Sequence, residues 1–299
     1  MNLPKMGKQS EDLLGMNKVA IVTDSTAYLA SDIRDQYAIE MVPLNVVIGE
    51  DSYQEEIDLT TSEFYKLLKN TEKLPTTSQP AIGHFVETFE KLKDQGYEEI
   101  ITIHLSSKIS GTYQSAMSAA TMVEDISIEG FDSEISCAPQ GYFVLEAAKM
   151  AAEGADAKSI LAHLKEIKTT LKAYFMVDSL QHLHRGGRLN AAQLVVGNLL
   201  KIKPILHFEE GSIVPFEKVR TEKKAVGRIC QLLEEDVTQG GAFKVTVIHA
   251  NRLESAETLA KEIQEKFENV DVDISHFGPV IGTHLGEGSL GVSWYKLSR

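Results

Sequence analysis

Four hydroxyl side chains fall within seven residues in Ser106-Ser107-Lys108-Ile109-Ser110-Gly111-Thr112. They follow the β-rich run Ile100-Ile101-Thr102-Ile103 and precede a helical pattern. Where a parallel strand gives way to a helix, free backbone N–H groups and the helix dipole favour an anion. The loop therefore suits a carboxylate or a phosphate, while capping and turn formation are the other use of the same residues. A second polar loop, Thr76-Thr77-Ser78-Gln79-Pro80, also precedes a helix and on its own reads as a cap. His284 lies in Gly278-Pro279-Val280-Ile281-Gly282-Thr283-His284-Leu285-Gly286, where flanking glycines leave it little local packing and make it a binding candidate. Ser110 as nucleophile with His284 as base would make a hydrolase or acyltransferase, but no third, orienting acid is evident.

Other motifs narrow the chemistry. Gly286-Glu287-Gly288-Ser289-Leu290-Gly291 has the letters of a dinucleotide fingerprint, yet only eight residues follow it, too few for the required helix. Its glycines serve unusual backbone angles or a close approach instead. No phosphate-binding Walker sequence, H-E-x-x-H or G-x-S-x-G occurs. His182 and His184 have no cysteine or acid beside them, so no metal site is expected there. Arg185-Gly186-Gly187-Arg188 can present guanidinium forks to an anion, or simply close a helix with solvated charges. Arg220, Lys223, Lys224 and Arg228 continue that basic segment.

Strands and helices must position these residues. Val19-Ala20-Ile21-Val22 reads as a doubly buried strand running into a Thr23-Asp24-Ser25-Thr26 turn. Ile39 to Ile48 is a second apolar stretch, bent or on a sheet edge at Pro43. Helices are expected from Thr60, around Phe85 to Leu92, around Tyr113 to Ala120 and over 140–153, with strands at 100–103 and near 126–137. This alternation predicts an α/β domain with a mainly parallel sheet flanked by helices. Beyond a boundary near 154–158 the pattern changes. A helix around Ile160 to Ile167, a strand Tyr174 to Val177, a helix from about Asn190 to Leu200 and a hairpin of Ile205-Leu206 with Ile213 to Val219 come first. Helix 222–236, strand 243–249, helix 254–267 and strands 271–276 and 290–296 follow, predicting an α+β domain with a mixed sheet. The organisation is a flexible leader at 1–17, an N-terminal domain at 18–156 and a C-terminal domain at 157–299.

Composition sets the outer bounds. The 299 residues are enough for about two domains. Acids outnumber bases 43 to 30, for a net charge of −13, which argues against nucleic acid. The acidic excess is confined to the N-terminal half, and residues 185–228 are locally basic. Two cysteines, Cys137 and Cys230, exclude a disulfide scaffold. No apolar run reaches the roughly 20 residues of a membrane span, and no signal-peptide core opens the chain, so a cytoplasmic protein is expected.

Taken together, five motifs resemble the DegV family: Ile21 to Ala27, Thr77-Ser78-Gln79-Pro80, Ser106 to Ala116, Arg185-Gly186-Gly187-Arg188 and Gly278 to His284, in order from about Lys18 to Arg299. The resemblance implies a fatty acid held between two domains, its acyl chain in an apolar tunnel. It implies that Thr77, Ser110 and His284 meet the carboxylate, with Ser78, Ser107, Gly111, Gly282 and Thr283 as neighbours. It further implies a non-catalytic carrier without a cofactor, similar to the fatty-acid-binding subunits of bacterial fatty acid kinase. A separate kinase catalytic subunit would phosphorylate the carboxylate, and a phospholipid-synthesis acyltransferase would receive the acyl phosphate. Arg185, Arg188 and Arg220 become docking candidates, and a monomer is implied. A binder of another anionic metabolite remains an alternative. Burying about 15 methylenes is worth on the order of 12 kcal/mol before association costs. Glu287 stands where the family commonly has proline, and Ser136 to Gly141 replaces a Ser/Gly-rich segment.

Overall fold

The computed structural model describes residues 18–71, 74–189 and 203–297. The expected leader at 1–17 and the helix expected from about Asn190 to Leu200 lie outside these residues. In chain order come β1 (Val19–Asp24), a 3-10 turn (Ser25–Ala27), α1 (Ser31–Gln36), β2 (Glu40–Val42), β3 (Asn45–Ile48) and β4 (Asp51–Gln54). Then follow α2 (Thr61–Asn70), β5 (Thr76–Ser78), α3 (Ile82–Asp94), β6 (Glu99–His104), α4 (Thr112–Ala120), β7 (Ser127–Asp132) and α5 (Ala138–Ala152). The rest is α6 (Ala157–Thr170), β8 (Lys172–Met176), α7 (Gln181–Arg185), β9 (Lys203–Glu209), β10 (Ser212–Val219), α8 (Glu222–Val237), β11 (Phe243–His249), α9 (Leu253–Lys266), β12 (Val270–His276), α10 (Pro279–Leu285) and β13 (Leu290–Lys296).

The first sheet runs β2-β1-β6-β7 and is parallel throughout. Every residue of β1 is buried, as its continuous apolar run requires of a strand covered on both faces. One face packs against α3 and α4 through Phe85, Phe89 and Ala116. The other packs against α5 and α6 through Phe143, Ala147, Ile160 and Leu164. Thus α6, which follows the expected boundary, shares a core with the N-terminal sheet. The C-terminal half carries a mixed sheet, β10-β9-β8-β13-β11-β12, with only β11 and β12 parallel. Its back is covered by α8 and α9 around the fully buried Trp294.

Three short elements depart from the sequence reading. Pro43 marks an exit rather than a bend within one strand: β2 is the edge of the parallel sheet, while β3 joins a separate antiparallel ribbon, β4-β3-β5. Thr76–Ser78, expected as loop, is the outer strand of that ribbon, with Thr77 opposite Val46. β-branched threonines suit this half-covered edge. The glycine-rich stretch around His284 is helix α10, opened by Pro279 and closed at Gly286, whose φ is 78°.

Direct hydrogen bonds tie the halves together. The Tyr65 hydroxyl donates to the Phe277 carbonyl at 2.8 Å, and Ser106 Oγ donates to the Gly211 carbonyl at 2.7 Å in the β9–β10 turn. The buried Tyr142 hydroxyl donates to Thr246 Oγ1 and lies 3.4 Å from Ser293 Oγ.

Candidate functional site

A cavity of about 350 Å³ lies between the two halves, within the roughly 300–1,000 Å³ of small-molecule sites. Its lining is mostly apolar, including Leu44, Leu105, Phe175, Phe277 and Ile281. Polar groups enter from three elements. β5 brings Thr77 and Ser78, with Gln79 just after it, the loop before α4 brings Ser110 and Gly111, and α10 brings His284. Arg188 joins them from the segment after α7.

His284 is buried to 9% exposure, and its Nε2 lies 2.8 Å from Thr77 Oγ1. Its Nδ1 has no hydrogen-bond partner. Nδ1 is unpaired in either tautomer, and the hydrogen of the neutral ring is placed on Nε2, the nitrogen that has a partner. Nε2–H then donates to Thr77 Oγ1, and the threonine O–H is left free to donate into the cavity. Burial, reinforced by the charges of Arg188 and His182, pushes the imidazole pKa down to about 3. The site therefore offers a carboxylate neutral donors rather than an imidazolium. Ser110 Oγ is 2.9 Å from Thr112 Oγ1 and accepts from the Thr112 amide at 3.3 Å.

The neighbourhood is built to hold these groups close. Gly186 lies against the imidazole: a Cβ there would stand 2.3 Å from Nδ1. A Cβ on Gly111 would strike the Gln79 side chain, which itself donates to Ser115 Oγ at 2.7 Å. Arg188 Nε donates to the Ile109 carbonyl at 3.0 Å and NH1 to the Gly186 carbonyl. It so links the hydroxyl loop to the turn beside His284. Burial lowers the Arg188 pKa, but a guanidinium remains charged at neutral pH.

Of the residues expected at a carboxylate, Thr77, Ser78, Ser110, Gly111 and His284 line the cavity. Ser107, Gly282 and Thr283 do not. The Ser107 amide donates to Asp132 Oδ1 at 3.2 Å, and Thr283 Oγ1 donates back to the Pro279 carbonyl at 2.9 Å. Gly282 leaves room for the Tyr65 hydroxyl, 2.7 Å from a hypothetical Cβ. Arg188, one of the three docking candidates, lines the cavity and is half-buried, while Arg185 and Arg220 are exposed. Glu287 is held outside the lining by Lys69 at 3.0 Å and by Asn251 Nδ2 at 2.7 Å. Cys137 does line the cavity, as a buried free thiol with φ 63°.

Two buried carboxylates stand behind the site: Asp24, in the turn that the sequence already marked, and Glu55, which it did not mark. Asp24 accepts from Thr26, from the Leu105 amide at 3.0 Å and from His104 Nδ1 at 2.9 Å. Burial works to raise its pKa, but the His104 contacts outweigh that and hold it below the usual carboxylate range. This cluster fixes the start of the hydroxyl loop. Glu55, fully buried, accepts from Ser25 Oγ, from the Tyr28 hydroxyl at 3.0 Å and from the Val280 amide at 2.7 Å. It thereby anchors the first turn of α10, the helix bearing His284. A single acid in a mixed polar segment carries no periodic signal, so nothing in the sequence distinguished it. Among the described residues no group of three His, Cys, Asp or Glu side chains could hold a metal, and no helix is long and apolar enough to cross a membrane.

Comparison with known proteins places this geometry in context. The family model described as "Uncharacterised protein, DegV family" matches residues 18–297. A DegV domain-containing protein of Halalkalibacterium halodurans is 64% identical over 94% of this chain and 99% of its own length. The crystal structure of DegV from Bacillus subtilis, described as a fatty acid binding protein, superposes with a TM-score of 0.89 at 51% identity, covering 94% of this chain and all of that one. A Thermus thermophilus DegV family protein, described by its fatty acid binding, superposes with a TM-score of 0.87 at 28% identity, covering 94% of this chain and 100% of that one.

Proposed function

Since the chain belongs to the DegV family, we propose that it binds a long-chain fatty acid in the cavity between its halves. The observation that carries this reading is one cavity with an apolar lining and a cluster of neutral donors. A buried carboxylate needs donors, and the hydroxyls of Thr77, oriented by His284, and of Ser110 supply them. Ser78 and Gln79 are exposed beside them, so the head group lies near solvent. In the fuller reading a separate kinase subunit phosphorylates that carboxylate, and this chain, itself without catalysis, carries the acyl phosphate to an acyltransferase. The protein works as a cytoplasmic monomer in that reading, with exposed Arg185 and Arg220 as docking residues. Its deciding test is lipid extraction and mass spectrometry of the purified protein, with titration of palmitate and oleate. Co-purified acid or saturable binding is expected. Absence of both would overturn the reading, and binding without transfer of phosphate by any kinase fraction would overturn only its second half.

A further inference from the structure

A second, smaller cavity of about 170 Å³ opens behind the first. The two share Ile135, Ala173, Tyr174 and Phe208 as walls. None of Thr77, Ser110, Arg188 and His284 touches the second cavity, so the shared wall is separate from the head-group end. The smaller cavity is polar in character, bounded also by Lys168, Lys172, His207 and Glu210.

We propose that Phe208 and Ala173 form the rear wall of the acyl site and set the longest chain it accepts. This rests on the fatty-acid reading above. The two residues occupy neighbouring strands, β9 and β8, on the sheet face turned toward the N-terminal half, where Phe208 packs against both front cores. The Phe208 ring stands 6.2 Å from that of Phe175, which also lines the larger cavity. Tyr174 turns the other way, its ring stacked 5.6 Å from Trp294 behind the sheet. Within the shared wall, Phe208 is thus the large side chain from the C-terminal sheet, facing Ile135, and Ala173 is the small one that leaves space beside it. A chain end that reached past Phe208 would leave an apolar lining for charged groups such as the paired Lys168 and Glu134. That transfer forfeits the gain that each methylene otherwise brings.

The test is a chain-length series of saturated acids from C12 to C22, titrated into the wild type, Phe208→Ala and Ala173→Ile. Within the cavity, Kd should fall about fourfold per added methylene. In the wild type this improvement stops at one length. Phe208→Ala should move that length up by about two carbons, and Ala173→Ile should move it down by about as much. Dodecanoate, the shortest acid of the series, should bind all three alike, which shows that fold and head-group site are intact. Should Phe208→Ala fail to fold, Phe208→Leu gives a smaller shift in the same direction. An unchanged limit in the variants, with dodecanoate binding retained, overturns the wall assignment and leaves the fatty-acid reading standing. If the wild type binds no acid of any length, the functional reading itself falls.

Discussion

At the scale of single residues, the site depends on one imidazole kept neutral. Its hydrogen is placed on Nε2, the nitrogen that has a partner. Thr77→Val removes both the acceptor for that hydrogen and the hydroxyl proposed to meet the carboxylate. Losing hydrogen bonds to a charged group costs about 1.5–3 kcal/mol, so fatty-acid affinity measured by calorimetry should fall roughly 10- to 100-fold. Thr77→Ser, which keeps the hydroxyl, should retain most of it, and equal loss in both variants would count against the assigned roles. Gly186→Ala tests the same imidazole from its other edge. Gly186 has φ −73°, which any residue adopts, so the new methyl acts by crowding, chiefly of Nδ1 and also of the His182 carbonyl at 3.1 Å. We expect affinity to drop at least several-fold with little change in helix content by circular dichroism; unchanged affinity would mean that His284 tolerates displacement. Ser110 and His284 were legible as candidates because hydroxyls at a strand end and a histidine among glycines are unusual surroundings, whereas Thr77 read on its own as part of a cap and became a candidate only through the family resemblance. Gln79 and Arg188 were legible only as parts of motifs, since their placement comes from contacts across the fold.

At the scale of elements, α10 is held by a carboxylate that prefers to be protonated. Burial pushes Glu55 from 4.5 up to about 8, against the pull of its donors Ser25, the Val280 amide and Tyr28, with Glu56 adding to the rise. A group whose pKa is raised on folding stabilises the fold most below its unfolded pKa and loses that contribution as pH climbs through the folded value. His284 runs the opposite way: its pKa falls from 6.5 to about 3, so its contribution is present above 6.5 and lost on acidification through about 3. The two slopes oppose one another between pH 4.5 and 6.5. From 6.5 to about 8 only the Glu55 term remains of the pair, so the melting temperature should decline over that interval. Glu55→Gln should flatten this decline in a series of thermal melts, and an identical slope in the variant would remove Glu55 as its source. The long periodic elements were readable from sequence to within a few residues: α9 and β13, for example, begin at Leu253 and Leu290. Short ones were not. α10 spans only seven residues and contains Gly282, and β5 has only three. Each exists because of its neighbours, Glu55 and Tyr65 in one case and Val46 in the other, and such support leaves no local period.

At the scale of the molecule, the cavity draws walls from the mixed sheet, from β5 of the ribbon and from the loops that follow β6 and β7. A ligand there contacts both halves at once and should stabilise them together. At about 100 times its Kd it adds roughly 2.7 kcal/mol to the folded state. Palmitate should therefore raise the melting temperature by several degrees in one cooperative transition followed by calorimetry. Two transitions, only one of them ligand-sensitive, would contradict a site shared by both halves. The passage from a parallel to a mixed sheet was visible in the change from alternating strand and helix to hairpins near residue 155. The sharing of α6 with the N-terminal sheet was not, because an amphipathic helix states which face is apolar and not which sheet will cover it.

Cys137 gives the cavity one further property. An acyl phosphate is a mixed anhydride, and a thiolate within its reach would take the acyl group and end the carrier cycle in a dead thioester. Burial pushes this thiol up to about 12, leaving only on the order of one molecule in 10⁵ ionised at neutral pH. For the carrier proposed above, an apolar lining therefore does more than solvate a hydrocarbon tail: it keeps the container chemically inert toward its own cargo.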